Sequence, residues 1–420
     1  MKILHTSDWH LGQSFFTQNR KHEHQRFLDW LLNVVDEHGI DAIIVAGDIF
    51  DTGAPPSYAR EIYSRFVVSL QAHACTLVIL GGNHDSVSVL NETRGLLSCL
   101  NTHVIASTCA DPAEQVVEIR NNNDEVTGLV CAIPFIRARD VMVSEAGQSG
   151  EDKKQSLGEA IKAHYASVYQ LAEARRAELG IDIPIIATGH LTALGVSASS
   201  SVREIYIGTL DGFDAGGFPP ADYIALGHIH RPQRVAKSDI IRYSGSPIPL
   251  SFDELGTQKQ VLVVSFDGHQ ATSVESVPVP LFQDMQVLRG SLDDIEQALS
   301  EFENQEASTW LCIEVTTQGY LSDLHQRIQA MVEGKPVEVL QFVVNPLVVP
   351  RMNLVSFDRL DTDRTFRQRL GTPPSGQSMP VGRQHSHRSS SRSAHRRQEP
   401  TTVRPPRCTP VELIEKPSQK

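Results

Sequence analysis

The chain has 420 residues, 40% of them hydrophobic and 21% charged, and carries a formal net charge of −12. This is the make-up of a globular protein with room for one large and one smaller domain. No run of eighteen apolar residues occurs, which excludes a transmembrane helix, and the acidic balance argues against the usual kind of basic DNA-binding domain.

The charge is uneven. Residues 345–420 hold 14 Lys and Arg against 6 Asp and Glu, a net of +8, which leaves −20 on residues 1–344. Met1-Lys2-Ile3-Leu4-His5 leads straight into a strand-like run with no apolar segment and small-residue cleavage site behind it, so secretion is not expected. The six cysteines, Cys75, Cys99, Cys109, Cys131, Cys312 and Cys408, include no C-x-x-C pair. They fit a reducing, cytoplasmic compartment, most of them as buried small hydrophobes.

In chain order, Lys2–Thr6 reads as a strand, Glu23–His38 as an amphipathic helix and Ala42–Ala46 as a buried parallel strand. Tyr58–Ala72 reads as helix, Thr76–Leu80 as a buried strand and Val89–Leu100 as helix. Such alternation implies a layered α/β fold. Shorter strand signals fill 101–136, around a polar turn at Asn121-Asn122-Asn123. Ser156–Leu179 is a long helix, and Pro184–Thr188, Tyr223–Leu226 and Val261–Phe266 are further strands, enough for two packed sheets with helices outside. Pro278-Val279-Pro280 reads as a linker into a small β-α-β-α-β unit. Its elements are Met285–Arg289, a helix opened by Ser291 with Asp293 and Asp294 in its first turn, Trp310–Val315, a helix through Leu321, Leu324, Ile328 and Met331, and Val337–Val344. From 345 the chain is rich in Pro, Ser and Arg without apolar periodicity, and disorder is expected. The expected domains are therefore 1–277, 281–344 and a tail, 345–420.

Five polar clusters each follow a predicted strand: Asp8-Trp9-His10, Gly47-Asp48 with Asp51, Gly82-Asn83-His84-Asp85, Gly189-His190, and Gly227-His228-Ile229-His230. Ligands of open α/β sheets bind outside the carboxyl ends of strands, and glycines there let the backbone turn sharply beside a ligand. Asp, His and Asn together make a mixed nitrogen and oxygen donor set, suited to manganese, iron or zinc rather than calcium. No cysteine lies near, so a structural zinc site is not expected. One Asp can bridge two cations, and a pair about 3.5–4 Å apart is a standard device for phosphoester hydrolysis. Any one cluster has an ordinary explanation as a turn; all five in this order do not.

The motifs resemble those of the calcineurin-like metallophosphoesterase superfamily, in the order Asp-x-His, Gly-Asp-x-x-Asp, Gly-Asn-His-Asp, Gly-His and Gly-His-x-His. Within it, His5–Gly12, Gly47–Gly53, Pro55–Ala59, Gly189–Thr192, Tyr223–Arg231 and Gly245–Phe252 are similar to the nucleases that process DNA ends with an ATPase partner. The similarity spans roughly residues 1–340. It implies a four-layer α-β-β-α sandwich, a small capping domain and two manganese ions, Mn(II). By motif position Asp8, His10, Asp48 and His230 should hold one ion and Asp48, Asn83, His190 and His228 the other. His84 should protonate the leaving oxygen, a task suited to imidazole near neutral pH. The implied activity is double-strand exonuclease and single-strand or hairpin endonuclease, in DNA replication, recombination and repair. The implied partners are the ATPase, DNA ends and hairpins, and a second copy of the nuclease chain, with no membrane. Two divalent ions would bring +4 to the point where phosphate binds, which offsets the acidic body.

Arg20 and Lys21, in the polar segment just after the first motif, have two readings of equal weight, contact with backbone phosphate or an ordinary solvated loop. The chain departs from the family beyond Leu340, where the Pro/Arg/Ser tail stands in place of charged helices that dock on the partner. Two other functions fit the same motifs: a phosphoesterase acting on nucleotides or phosphoproteins, and a non-catalytic scaffold. Phosphoprotein phosphatases place Arg after the second Asp of Gly-Asp-x-x-Asp, whereas Thr52 follows Asp51 here, and every expected ligand position is filled.

Overall fold

A computed structural model of the chain describes residues 1–142, 150–202, 212–302, 307–317 and 323–346. The expected tail lies outside them, except that Asn345 and Pro346 complete the last strand. Leu321, expected in a helix, also lies outside.

The first elements are β1 (Lys2–Thr6), a hairpin of β2 (Ser14–Phe15) and β3 (Gln18–Asn19), α1 (Lys21–His38), β4 (Ala42–Val45), α2 (Ser57–Leu70), β5 (Thr76–Leu80), α3 (Val87–Glu92), α4 (Arg94–Leu97) and β6 (Thr102–Ile105). Then come β7 (Val116–Arg120), β8 (Val126–Cys131), α5 (Ala138–Val141), α6 (Gly150–Leu179), β9 (Ile185–His190), β10 (Tyr223–Gly227), β11 (Gln233–Arg234), β12 (Ile241–Tyr243), β13 (Gln260–Asp267) and β14 (Gln270–Pro278). One six-stranded sheet runs β14-β13-β1-β4-β5-β6 and the other β11-β12-β10-β9-β8-β7. β1, β4, β5 and β6 are mutually parallel, as are β8, β9, β10 and β12. β4, β5, β9 and β10 are buried along their whole length, which is why they read as continuous apolar runs.

The layers follow from which residues each face buries. Ile3, Ile44 and Val78 of the first sheet pack on Val130, Ile186 and Tyr223 of the second. On the outer face of the first sheet lie Phe27 and Leu31 of α1 and Ile62 and Phe66 of α2. Leu157, Ile161, Tyr165 and Val168 of α6 cover the second. The order is helix, sheet, sheet, helix, as the family resemblance implies. α1 shows the local logic. Its buried positions Phe27, Leu28, Leu31, Val34 and Val35 recur at helical spacing, and Gly39 closes it in the left-handed region at φ 62°, donating its N–H to the last turn.

Two local expectations change. The helix expected over 89–100 is broken into α3, α4 and a 3-10 turn at Ser98–Leu100, because Thr93 leaves helical geometry (ψ 4°). β14 is not visible in the sequence. It is an edge strand exposed on most of its residues, so it has no apolar alternation to read, and Pro278 ends it rather than opening a linker.

A third sheet, β15 (Met285–Gly290), β16 (Thr309–Thr317) and β17 (Val337–Pro346), is parallel throughout and carries α7 (Leu292–Ser300) and α8 (Leu324–Val332). Ser291 and Asp294 form a reciprocal capping box at the start of α7. Phe15 and Phe252 pack on Met285, Trp310 and Cys312 of this sheet, with Phe15 stacked on Trp310 at 5.7 Å between ring centres. Trp310→Ala empties this contact. The expected cost is about 3–5 kcal/mol, read as an earlier urea midpoint for the third sheet by hydrogen exchange.

Cys75, Cys131 and Cys312 are buried as expected, whereas Cys99 is exposed and Cys109 half-buried. Among the described residues no helix is long and apolar enough to cross a membrane.

Candidate metal centre

The sheets place the five clusters. β1, β4 and β5 end in Asp8-x-His10, Asp48 and Asn83-His84, and β9 and β10 end in His190 and His228-x-His230. The loops are laced together by backbone bonds, Asp8 N–H to Gly47 O at 3.0 Å and His10 N–H to Asp48 O at 3.0 Å. Asp8 (φ 54°), His10 (φ 46°), Asp48 (φ 52°) and His228 (φ 94°) all hold positive φ. Backbone strain of this kind costs on the order of 1–3 kcal/mol per residue and collects at functional sites. Two glycines admit the close approach. A Cβ on Gly47 would sit 2.2 Å from His190 Nδ1, and one on Gly227 would sit 1.9 Å from the Ala46 carbonyl oxygen.

All eight residues singled out in the sequence converge. Asp8, His10 and His230 offer ligand atoms within 4.8 Å of one another, as do Asp48, His190 and His228, and also His10, Asp48 and His84. Asp48 Oδ2 lies 3.2 Å from His190 Nε2 and 3.6 Å from His10 Nε2. Asn83 Oδ1 accepts from His190 Nε2 at 2.9 Å and from His228 Nδ1 at 3.1 Å. His10 Nε2 and His228 Nε2 are buried with no hydrogen-bond partner among the described residues. Buried polar atoms are rarely left so. Two such nitrogens among two carboxylates are a donor set that divalent cations would satisfy, and the residues fit the pair of ions that the motifs imply.

Protonation of the cage residues follows from their contacts. Burial opposes a charge on Asp48, but the facing His190 outweighs it and holds the carboxyl well below the usual range. Burial likewise lowers His190, yet Asp48 raises it on balance from 6.5 to about 9. The geometry agrees, since Ala46 O accepts from Nδ1 at 2.9 Å while Asn83 and Asp48 face Nε2. Asp51 and Asp48 overcome the burial of His10 and raise it, whereas burial and the neighbouring His190 push His228 well down. A ligand imidazole must be neutral. At pH 7.5, below the value of about 9 for His190, filling the cage must expel its proton, so affinity rises with pH towards 9. Titrating chelator-stripped protein with Mn(II) in buffers of different ionisation enthalpy should show roughly one proton released; none at pH 7.5 would contradict this.

A second layer holds the donors. Asp51 Oδ1 accepts from His10 Nδ1 at 3.0 Å, and its backbone oxygen accepts from His84 Nδ1 at 2.7 Å. Asp85 accepts from the backbone N–H groups of Gly82 (2.8 Å), Phe50 (2.9 Å) and Ile49 (3.1 Å), tying two motif loops together. Its burial beside Asp48 lifts its carboxyl to about 6. Behind His230 lies Glu254, whose burial is outweighed by the His230 N–H and the Lys259 ammonium, so that it stays far below the ordinary range. Sequence reasoning assigns no role to Asp85, Glu254 or Lys259. Asp85 at least lies inside the Gly-Asn-His-Asp motif; the other two follow the Gly245–Phe252 segment with no pattern to mark them.

One sequence expectation fails. Arg20 is buried and does not face solvent: its guanidinium pairs with Glu23 at 2.6 and 2.7 Å and donates to Gln13 (2.6 Å) and to Pro249 O (2.7 Å). Each of these bonds would be lost if it reached for a phosphate. Lys21 beside it is exposed.

A layered sandwich with this cage across its strand ends defines a metallophosphoesterase. The family profile described as calcineurin-like phosphoesterase matches residues 1–232, and the one described as type 5 capsule protein repressor C-terminal domain matches residues 281–371. The chain is 53% identical over 342 residues to the SbcD component of nuclease SbcCD from Escherichia coli (strain K12), covering 81% of this chain and 84% of that one. The SbcD components of Rhodobacter capsulatus and Bacillus subtilis are 32% and 31% identical. They cover 67% and 78% of this chain and 70% and 82% of their own lengths. The chain belongs to the SbcD family of calcineurin-like phosphoesterases.

Proposed function

We propose that this chain is the nuclease component of an SbcCD-type complex and hydrolyses DNA phosphodiester bonds with two Mn(II) ions. The convergence of Asp8, His10, Asp48, Asn83, His190, His228 and His230, with two buried histidine nitrogens unpartnered among the described residues, carries the reading. Asp8, His10, Asp48 and His230 would hold one ion and Asp48, Asn83, His190 and His228 the other, with Asp48 shared. When bound, the ions supply positive charge at the scissile phosphate and lower the pKa of the attacking water.

The chain's own residues do the rest. Asp51 and Asp85 hold the ligand loops in register, and Ala46 O orients His190. His84 donates from Nδ1 to the Asp51 carbonyl, so Nε2 is the atom that passes a proton to the departing sugar oxygen. No covalent enzyme intermediate is needed.

An SbcC-type ATPase is the proposed partner, DNA ends and hairpins the proposed substrate, and the cytoplasm the proposed site of action. A second copy of the chain is a further proposed partner. A division into 1–277, 281–344 and a tail is proposed; the two profile matches, over 1–232 and 281–371, support the split after β14, while the second continues past residue 344.

The test is cleavage of linear and hairpin-ended duplexes by chelator-stripped protein, with and without SbcC, next to a cyclic nucleotide and a phosphopeptide. Cleavage of DNA restored by Mn(II) is expected. Equal cleavage in EDTA, or turnover of the phosphopeptide alone, would overturn the proposal.

A further inference from the structure

Glu254 closes a 3-10 turn at Phe252–Glu254 and has no exposed surface. Its Oε2 accepts from Lys259 Nζ at 2.6 Å, Leu250 N–H at 3.0 Å and Ser246 Oγ at 3.3 Å. Its Oε1 accepts from Ser199 at 2.7 Å, from Ser251 at 3.3 Å, from Ser201, and from His230 Nδ1 at 3.3 Å. Lys259 also donates to the His230 carbonyl oxygen at 2.9 Å, so the same pair grips both ring and backbone of that histidine.

The proton positions follow from donor chemistry. A carboxylate only accepts. Ser201 therefore spends its single proton on Glu254, and its oxygen, 2.7 Å from His230 Nδ1, must accept there. Both neighbours of Nδ1 thus demand a hydrogen on it, which leaves the lone pair on Nε2. A metal-binding imidazole needs this arrangement, with the far nitrogen donating to a carboxylate that fixes ring and tautomer.

We propose that Glu254, seated by Lys259 and the Ser199–Ser201 segment, is a positioning residue that locks His230 as the Nδ1–H tautomer and so sets cation affinity at the Asp8, His10 and His230 side of the cage. The proposal rests on the metal-dependent reading of the site. A buried ion pair kept only for stability would not need His230 at all.

The experiment is Mn(II) titration of full-length, chelator-stripped protein by calorimetry, comparing wild type with Glu254→Gln. The variant should lose roughly 10–100-fold in affinity at one of two sites, with the other site unchanged. Long-range proton–nitrogen NMR of metal-free wild type should show the proton of His230 on Nδ1. Retention of both affinities by Glu254→Gln overturns the proposal and leaves the metal reading intact, whereas a wild type that binds no Mn(II) removes both. Should Glu254→Gln not fold, the wild-type spectrum decides: a proton on Nε2 overturns the assignment, and one on Nδ1 supports it.

Discussion

Asp48→Asn is expected to lower DNA cleavage by at least about a thousandfold, on the order of 4 kcal/mol of barrier. The substitution is conservative in shape. Asn tolerates the positive φ of 52°, and its side-chain oxygen can still accept from the His84 N–H, 2.9 Å away in the native site. What disappears is the one charge proposed to be shared by both ions. Calorimetry should find at most one Mn(II) bound per chain, against the two proposed for wild type. A second signature appears without metal. His190 owes its raised value, about 9, to Asp48 working against burial; with that charge gone, burial prevails and the imidazole should be neutral at pH 7. NMR titration of His190 reads this directly. A variant keeping a tenth of wild-type activity would show that Asp48 is not the shared ligand.

His84→Ala should cost about 10²–10⁴ in kcat, the usual span for a lost general acid, with Mn(II) affinity unchanged. His84 is half-buried, its ring 4.6 Å from that of His10, and it belongs to a group with His10 and Asp48 close enough to ligate. Acid and ligand are therefore rival roles for this residue, and leaving-group chemistry separates them. A nitrophenyl ester departs as a weakly basic phenolate that needs no proton, so the defect should shrink on that substrate. A tenfold loss of Mn(II) affinity, with an equal defect on both substrates, would make His84 a ligand instead.

The parts of the site legible in the sequence share a physical cause. β4, β5, β9 and β10 are buried on both faces, so their apolar runs stand out, and each is followed at once by its glycines and donors. What stays hidden depends on contacts across long sequence separations. Arg20 reads as a solvated base because nothing nearby marks its bond to Pro249 O, 229 residues on. Glu254 and Lys259 lie in an irregular segment where no periodicity announces burial. β14 is solvent-washed and lacks the pattern that betrays a strand. In each case tertiary partners decide the outcome over local signals.

The strand order also dictates when during synthesis the molecule becomes complete. β1 leaves the ribosome first, yet one of its two neighbours is β13, with His5 opposite Leu262. Asp8, His10, Asp48 and Asn83 are made early, while His228 and His230 arrive only after more than half the chain has been translated. A polypeptide abandoned before that point lacks at least His228 and His230 of the proposed donor set and has an N-terminal strand with one edge bare. Premature termination thus yields a fragment without the full cage, and the proposed hydrolytic centre is completed only once translation has passed the middle of the chain.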